Sequence, residues 1–172
     1  MIREAALSDA GQFISLLHEI QRSGWIIQNV QDPLENEEKM KDYIMSYQRD
    51  KGSGIYLYID NGTAVGYLII TISKNKMKRH CGLLEGGVQK NFRRKGIGDA
   101  LLKEICHTAE DNNIKKLEVN VMSHNANALK VLYKNGFCKE GEKINSLQVN
   151  NRFINEIILG KWISPEKYSS SQ

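Results

Sequence analysis

The hydrophobic residues in the first fifty positions recur every three or four residues, which is the spacing of one face of a helix. Ser8 or Asp9 stands before the first such segment and Asn36 before the second, and these residue types cap helix N-termini. We therefore expect two helices near the N-terminus, after a short strand at 2–5. The positions that predict their buried faces are Phe13, Leu16, Leu17 and Ile20, followed by Met40, Tyr43, Ile44 and Tyr47.

The remainder of the chain alternates between strand and helix patterns. Apolar runs at 55–59 and 64–72 flank Asp60-Asn61-Gly62, which is a strong hairpin signal. The other expected strands are 81–88, 116–121, 137–144 and 153–162, the last two joined across Asn150-Asn151, and the other expected helices are 98–111 and 125–135, the latter closed by Gly136. This order predicts one mixed α/β domain over 1–163, with about seven strands and about four helices, followed by a polar tail at 164–172.

Composition and charge exclude several classes of protein. A chain of 172 residues with a net charge of +4 fits one ordinary globular domain. The longest apolar run, 66–72, is too short to span a bilayer, and the first residues lack a signal-peptide pattern, so we expect a cytoplasmic protein with no membrane partner. Three widely spaced cysteines favour neither disulfides nor a metal site. The basic run at 74–79 is interpreted as a solvated loop, and no nucleic-acid partner is expected.

One segment has the features of a phosphate site. Residues 88–98 lead from a predicted strand directly into a predicted helix, whose first N–H groups are unpaired and favour an anion. Gly96 and Gly98 allow a phosphate to approach the backbone closely, and Arg93, Arg94 and Lys95 add positive charge.

Two other phosphate motifs do not fit this segment. A Walker loop needs GxxxxGK[ST], which is absent, and a dinucleotide fingerprint needs a third glycine where this chain has Leu101. A basic turn with no ligand remains the alternative.

The segment resembles the coenzyme A signature of the GNAT superfamily of N-acetyltransferases, Arg/Gln-x-x-Gly-x-Gly/Ala, through Arg93, Gly96 and Gly98. Residues 125–137 are similar to the family's Asn-x-x-Ala…Gly-Phe helix. Residues 153–159 are similar to the last strand of bacterial members related to ribosomal-protein and small-amine acetyltransferases. The resemblance covers nearly the whole chain.

This resemblance implies a sheet that splays open between the strand ending at Val88 and the strand containing Val121, with acetyl-CoA as co-substrate and no metal. Pantetheine is then expected in the gap, where it pairs with a strand edge that is otherwise exposed. Gly86-Gly87 is a candidate bulge, or a pair of glycines that only eases packing. The implied cofactor-binding residues are Gly86, Gly87, Val88, Arg93, Arg94, Lys95, Gly96, Ile97, Gly98, Asn120 and Asn125.

The family's reaction is direct attack of an amine on the thioester, with the Val88 N–H as oxyanion donor. The harder step is removal of a proton from the ammonium, for which Glu118 and Glu85 are the candidate bases. Glu118 shares one strand face with Asn120, opposite the apolar residues of the same strand. Pairing with a lysine is the alternative for either glutamate.

The general acid departs from the family's pattern. The family's tyrosine falls at Leu132 in this chain, and Tyr133 comes one residue later, which is a rotation of about 100° on a helix. Tyr133 is thus a candidate acid with water as its substitute, and a non-catalytic acyl-CoA sensor is the alternative function. The sequence leaves open whether the acceptor is a small molecule or a peptide N-terminus, and whether the chain forms a homodimer.

Overall fold

A computed structural model describes residues 1–24, 26–27 and 36–163 of the chain. The described residues form one seven-stranded sheet and four helices, joined by short turns. In chain order the elements are β1 (Ile2–Glu4), α1 (Ala10–Arg22), α2 (Glu37–Arg49), β2 (Gly54–Asp60), β3 (Thr63–Ile72), β4 (Cys81–Val88), α3 (Ile97–Asp111), β5 (Lys116–Met122), α4 (Ala126–Lys134), β6 (Cys138–Val149) and β7 (Arg152–Trp162).

The sheet is mixed and splits in the middle, as the resemblance implied. Its strand order is β1-β2-β3-β4-β5-β7-β6, and the contact between β4 and β5 is parallel whereas the other contacts are antiparallel. The β4–β5 pairing runs from Cys81 opposite Lys116 to Leu84 opposite Val119 and then stops. Residues 85–88 and 120–122 are therefore strand residues that face each other across a gap without pairing.

Hydrophobic side chains fill both sides of the sheet. Leu68 and Ile70 of β3 pack against a cluster that includes Leu101 and Ile105 of α3, while Ile69, between them in the chain, packs in the cluster of α1 and α2. This alternation is the period of a strand. Burial of each large apolar side chain stabilises the fold by about 1.5–3 kcal/mol.

The predicted turns are confirmed. Asn61 and Gly62 have φ values of 46° and 82°, which a two-residue hairpin of the primed type requires. Asn150 and Asn151, at 50° and 60°, make the corresponding turn between β6 and β7, and Gly136 ends α4 at 84°.

The predicted start of α1 is correct in position but not in contact. Asp9 stands at the N-cap position, but its side chain accepts from no N–H group of this helix, because a short 3-10 turn precedes α1 and the carboxylate is used elsewhere. Its oxygens accept from Arg3 Nη1 at 2.6 Å and Nη2 at 2.8 Å, from the Ala6 N–H at 2.8 Å and from Gln12 Nε2 at 2.6 Å. The Arg3 hydrogen bond is the main reason that the pKa of Asp9 falls to about 2.

Two other expectations need correction. Gly86 and Gly87 form no bulge: they oppose Leu68 and Tyr67 in regular register. The sheet opens where the pairing of β4 with β5 ends, after Leu84 and Val119, while both strands stay paired with their other neighbours. Strand β6 is longer than predicted, because register shifts after Lys139 and after Lys143 let it pair with β7 as far as Val149.

The remaining predictions concern chain ends and the membrane. The tail at 164–172 and most of the loop at 24–33 lie outside the described residues. Among the residues that are described, no helix combines the length and the apolar character needed to cross a bilayer.

Candidate active site

The loop between β4 and α3 forms a concave stretch of backbone at the open end of the sheet. After Val88 a 3-10 turn at residues 90–92 reverses the chain, and Arg93 Nε donates to the Val88 carbonyl at 3.0 Å. Arg94 and Gly96 have φ values of 62° and 79°. Helix α3 then starts at Ile97, so its unpaired N–H groups point out of this stretch.

Arg94 is the unusual member of this loop. The other described non-glycine residues with positive φ are all asparagines, which tolerate that conformation. Arginine tolerates it less well. Such strain is concentrated at functional sites, and alternating backbone conformations of this kind make anion-binding concavities. The side chains of Arg94 and Lys95 are exposed, with Lys95 Nζ 4.7 Å from the centre of the Phe92 ring.

The two glycines of the signature, Gly96 and Gly98, differ in backbone conformation and in what a side chain would contact. Gly96 is left-handed, and a Cβ built on it meets no atom within 4 Å, so its backbone faces open space. Gly98 is helical, and a Cβ there would touch Val131 Cγ1 at 3.6 Å, an ordinary contact. Gly96 therefore gives both the conformation and the access that a bound phosphate needs.

The start of α3 is fixed to the end of α4. Asp99 accepts from Lys134 Nζ at 3.0 Å and from Asn135 Nδ2 at 2.7 Å. These two hydrogen bonds, with Asn135 the larger cause, lower the pKa of Asp99. The acidic side chain in the first turn of α3 is thus held toward α4 rather than left beside the loop.

Gly86 and Gly87 leave the β4 side of the gap as bare backbone. Neither position has room for a side chain, because neighbouring atoms lie too close. A Cβ on Gly86 would lie 2.5 Å from the Tyr67 carbonyl oxygen. A Cβ on Gly87 would lie 2.6 Å from Ile26 Cδ1 and 2.9 Å from Ile20 Cγ2. Helix α1 and the segment after it therefore cover the sheet over Gly87.

The two candidate bases and Asn120 share the face of the sheet that α1 and α2 partly cover. Glu85 opposes Ile69 of the α1–α2 cluster, and Glu118 opposes Leu83, two residues from Glu85 on β4. The next pair in this register, Glu85 with Asn120, is not made because the strands have separated. The structure thus brings Glu85, Glu118 and Asn120 to the vertex of the gap.

The two glutamates have different neighbours. Glu118 Oε1 lies 3.0 Å from Lys116 Nζ, which also lies 2.8 Å from Glu140 Oε2. Glu85 lies among phenols: burial first, and its carboxylate as a further cause, raise the pKa of Tyr43 and Tyr67. Glu118 is thus paired with a lysine, whereas the charge of Glu85 acts on two phenols.

Helix α4 presents Asn125 and Tyr133 in different directions. The Asn125 Oδ1 atom accepts from the Ala128 N–H at 3.2 Å, so this side chain caps the helix as predicted. Leu132 is 6% exposed in the core, whereas Tyr133 is 47% exposed. The rotation that the sequence indicated is present.

The comparison with protein families decides the assignment. The model of the Acetyltransferase (GNAT) family matches residues 15–137, which is most of the chain. The chain belongs to the GNAT acetyltransferase family. No curated protein matches it.

Solved GNAT structures superpose over almost the whole chain. An acetyltransferase of the GNAT family from Streptococcus pneumoniae is 25% identical, with a TM-score of 0.86, 95% of this chain covered and 99% of that one. A ribosomal-protein-alanine N-acetyltransferase from Brucella melitensis is 23% identical, with a TM-score of 0.84 and coverages of 94% and 99%. The putative acetyltransferase YncA from Salmonella typhimurium, solved with its cofactor acetyl-CoA, is 16% identical, with a TM-score of 0.86 and coverages of 100% and 98%.

Several groups at this GNAT site were missed in the sequence. Ile20 and Ile26 over Gly87, and Tyr43 and Tyr67 near Glu85, come from elements far apart in the chain, so no local pattern connects them. Glu156 of β7 is 6% exposed, a buried carboxylate bonded to Lys143 Nζ at 3.3 Å and Ser146 Oγ at 3.2 Å. Its place inside an apolar strand was the available signal.

Proposed function

We propose that this chain transfers the acetyl group of acetyl-CoA to a primary amine, on a small molecule or a peptide N-terminus, by direct attack. The observation that carries the proposal is the gap between β4 and β5, which leads from the loop at 93–98 to Glu85. An unpaired strand edge inside a sheet is a liability unless a ligand pairs with it. The amides of pantetheine supply such a partner.

Acetyl-CoA is proposed to bind along the β4 side of this gap. Backbone groups of Gly86, Gly87 and Val88 pair with the pantetheine arm, and the Val88 N–H serves the developing oxyanion. Arg93 braces the end of β4 through the Val88 carbonyl. The pyrophosphate lies against Arg94, Lys95, Gly96, Ile97 and Gly98, and Asn120 and Asn125 form the opposite wall.

Glu85 is the proposed base. A lysine-like ammonium has a pKa of about 10.4 and a thiol of about 8.5, so the acceptor must lose a proton before it attacks. The C–N bond then forms as the C–S bond breaks, and the coenzyme A thiolate leaves. Glu118 lies 3.0 Å from Lys116 Nζ, and we assign it to orienting the acceptor.

Water is the proposed donor to the thiolate in place of Tyr133. A thiol with a pKa of about 8.5 needs little assistance to leave at neutral pH. The exposure of Tyr133 supports this assignment.

The second candidate function is a non-catalytic sensor of acyl-CoA. The observation that favours it is Leu132, which occupies the family's tyrosine position and is buried in the core. Such a protein would bind the thioester through the same gap and would not turn it over.

An acceptor screen separates these two functions. The purified chain is incubated with acetyl-CoA and a panel of small amines and peptides with free N-termini, and free thiol is followed. Acceptor-dependent thiol release supports the transferase. Acetyl-CoA binding that raises the melting temperature, with no thiol release from any acceptor, would support the sensor.

A further inference from the structure

One peptide unit at the end of β4, the one that joins Val88 to Gln89, is held at both ends. Its N–H group, on Gln89, donates to the Val65 carbonyl of β3 at 2.9 Å. Its carbonyl, on Val88, accepts from Arg93 Nε at 3.0 Å. Because the N–H and C=O groups of a trans peptide point in opposite directions, the Val88 carbonyl points away from β3 and toward the gap.

The Val88 N–H group faces the same gap. Val88 pairs with Gly66 in the regular register of β3 with β4. Within a strand the N–H and C=O groups of one residue point to the same side. Arg93 therefore binds the carbonyl of this residue, and the N–H is the group that a ligand in the gap meets. Without Arg93, a carbonyl oxygen with its partial negative charge would lie open beside that donor.

The Gln89 side chain ties this peptide unit to helix α1. Gln89 Nε2 donates to Glu19 Oε2 at 2.8 Å. The next residue of α1, Ile20, is buried and covers Gly87, since a Cβ built on that glycine would lie 2.9 Å from Ile20 Cγ2. Helix α1 thus contacts the end of β4 through one apolar contact and one hydrogen bond.

Arg93 makes its contact with Nε, the guanidinium nitrogen that is nearest the backbone. The amide nitrogen of a glutamine, Nε2, lies the same number of bonds from Cα and has no charge. A glutamine at this position can therefore donate to the Val88 carbonyl in the same way. Hydrogen bonding and charge can thus be separated at Arg93 by a single substitution.

We propose that Arg93, Gln89 and Glu19 are positioning residues that hold the Val88 N–H toward the thioester carbonyl. Arg93 acts through its hydrogen bond to the Val88 carbonyl and not through its charge on the phosphate. The inference rests on the proposed function, in which this N–H stabilises the oxyanion. A donor that is already aimed at the developing charge needs no reorganisation during the reaction, so a fixed peptide unit favours the chemical step.

The test compares two replacements of Arg93 that differ in one property. Arg93→Gln keeps a donor at the Nε position and removes the charge, whereas Arg93→Met keeps only the apolar stem. Arg49→Met is the matched control, because Arg49 is an exposed arginine in the last turn of α2. We measure kcat at saturating acetyl-CoA on one good acceptor, and the dissociation constant of acetyl-CoA by calorimetric titration.

We expect kcat to fall about tenfold in Arg93→Met, less than the 10²–10³ that loss of an oxyanion donor costs. The dissociation constant of acetyl-CoA should change by less than about threefold, since an interaction that acts in the transition state lowers kcat without weakening ground-state binding. Arg93→Gln should keep most of the wild-type kcat, and Arg49→Met should match the wild type.

A second measurement needs no acetyl-CoA. Exchange of the Gln89 backbone amide with deuterium is followed by NMR in the unliganded chain. Loss of the Arg93 contact leaves the peptide unit held at one end, so this amide should exchange about tenfold faster in Arg93→Met and at the wild-type rate in Arg93→Gln. Glu19→Ala should also speed the exchange. Glu19→Gln should not, because its carbonyl oxygen still accepts from Gln89.

Two results would overturn the inference. One is a normal kcat in Arg93→Met together with a rise of about tenfold or more in the dissociation constant of acetyl-CoA, which is the behaviour of a phosphate contact. The other is an Arg93→Gln variant that matches Arg93→Met in both kcat and amide exchange. A wild-type chain without thiol release would instead count against the proposed function, and the amide exchange would still test the contacts around Val88.

Discussion

Glu85 and Glu118 are the same residue type on the same face of the sheet, and their neighbours give them different chemistry. Glu118 has a lysine on its own strand face, two residues earlier, at 3.0 Å. Glu85 lies near the tyrosines of α2 and β3: after burial, its charge is a further cause of the raised pKa of Tyr43 and Tyr67. The sequence could not rank the two, because the tyrosines come from distant segments.

Replacement of the two glutamates should separate these roles. We expect Glu85→Gln to lower kcat/KM at pH 7 by about a hundredfold, the lower end for a positioned base. Glu118→Gln should lower it less than tenfold. Both should recover partly above pH 9, where more of the acceptor is already free amine. The measurement is a pH–rate profile on one acceptor, and a larger loss in Glu118→Gln would reverse the assignment.

Tyr133 gives the complementary prediction for the acid. Because this side chain faces β6 and solvent, Tyr133→Phe should lower kcat less than tenfold, whereas loss of a positioned acid typically costs about 10²–10⁴. Steady-state kinetics at pH 7 and pH 9 check this. A hundredfold loss would require Tyr133 to swing toward the sulfur during catalysis, and water would cease to be the proposed donor.

At the scale of elements, the loop from β4 to α3 acts through its backbone conformation. Gly96 and Gly62 form a natural pair for testing this: both are left-handed, at 79° and 82°, and a Cβ on either meets no neighbour within 4 Å. Alanine at either position costs about 1–2 kcal/mol of unfolding free energy. Gly96 borders the proposed phosphate site, whereas Gly62 lies in the β2–β3 hairpin.

The Gly96→Ala variant should therefore weaken acetyl-CoA binding, whereas Gly62→Ala should leave it unchanged at a similar loss of stability. We expect at least a tenfold rise in the dissociation constant for Gly96→Ala, because the methyl group occupies the side from which the phosphate approaches. Calorimetric titration of both variants measures this. Equal affinities would place the phosphate elsewhere.

The junction of β1 and α1 depends on Asp9. Its pKa is lowered to about 2, so the stabilisation is complete above about pH 4, the carboxyl's unfolded pKa, and is lost as the pH falls through 2. Asp9→Asn should lower the unfolding free energy by roughly 2 kcal/mol at pH 7, and this difference should narrow between pH 4 and pH 2.

Denaturant unfolding at several pH values tests this prediction. Asp42→Asn, an exposed aspartate on α2, is the control and should change stability by less than about 0.5 kcal/mol. If the Asp9 and Asp42 variants behave alike at pH 7, then the contacts of Arg3 with Asp9 contribute nothing measurable.

At the scale of the whole molecule, the sequence predicted the elements and the two-sided sheet well. Short-range signals account for this: Asn61-Gly62 and Gly136 demand a positive φ, and apolar spacing marks α3 and β5. The N-cap position of α1 was predicted, but the missing capping hydrogen bond was not, because Arg3 binds the Asp9 carboxylate through a contact that helix patterns do not contain. The extra length of β6 depends on irregular pairing with β7, which no local signal specifies.

The residues of the candidate site also divide into those that local sequence signals indicated and those that depend on distant contacts. The proposed phosphate loop is contiguous in the chain, so residues 93–98 could be proposed from the sequence directly, and the rotation of Tyr133 followed from counting along one helix. The environment of Glu85 and the cover over Gly87 are assembled from α1, α2, β3 and β4. Those contacts depend on strand register, which could not be predicted from the sequence.

The most direct test of the central claim is to account for the acetyl group itself. The purified chain is given acetyl-CoA labelled in the acetyl group together with an acceptor that releases thiol in the screen, and both products are quantified by mass spectrometry. We predict one labelled N-acetyl amide for each free coenzyme A, with no acetylated protein intermediate. Thiol release without labelled amide, or a stable acetyl group on the protein, would contradict direct transfer from the β4–β5 gap to an amine.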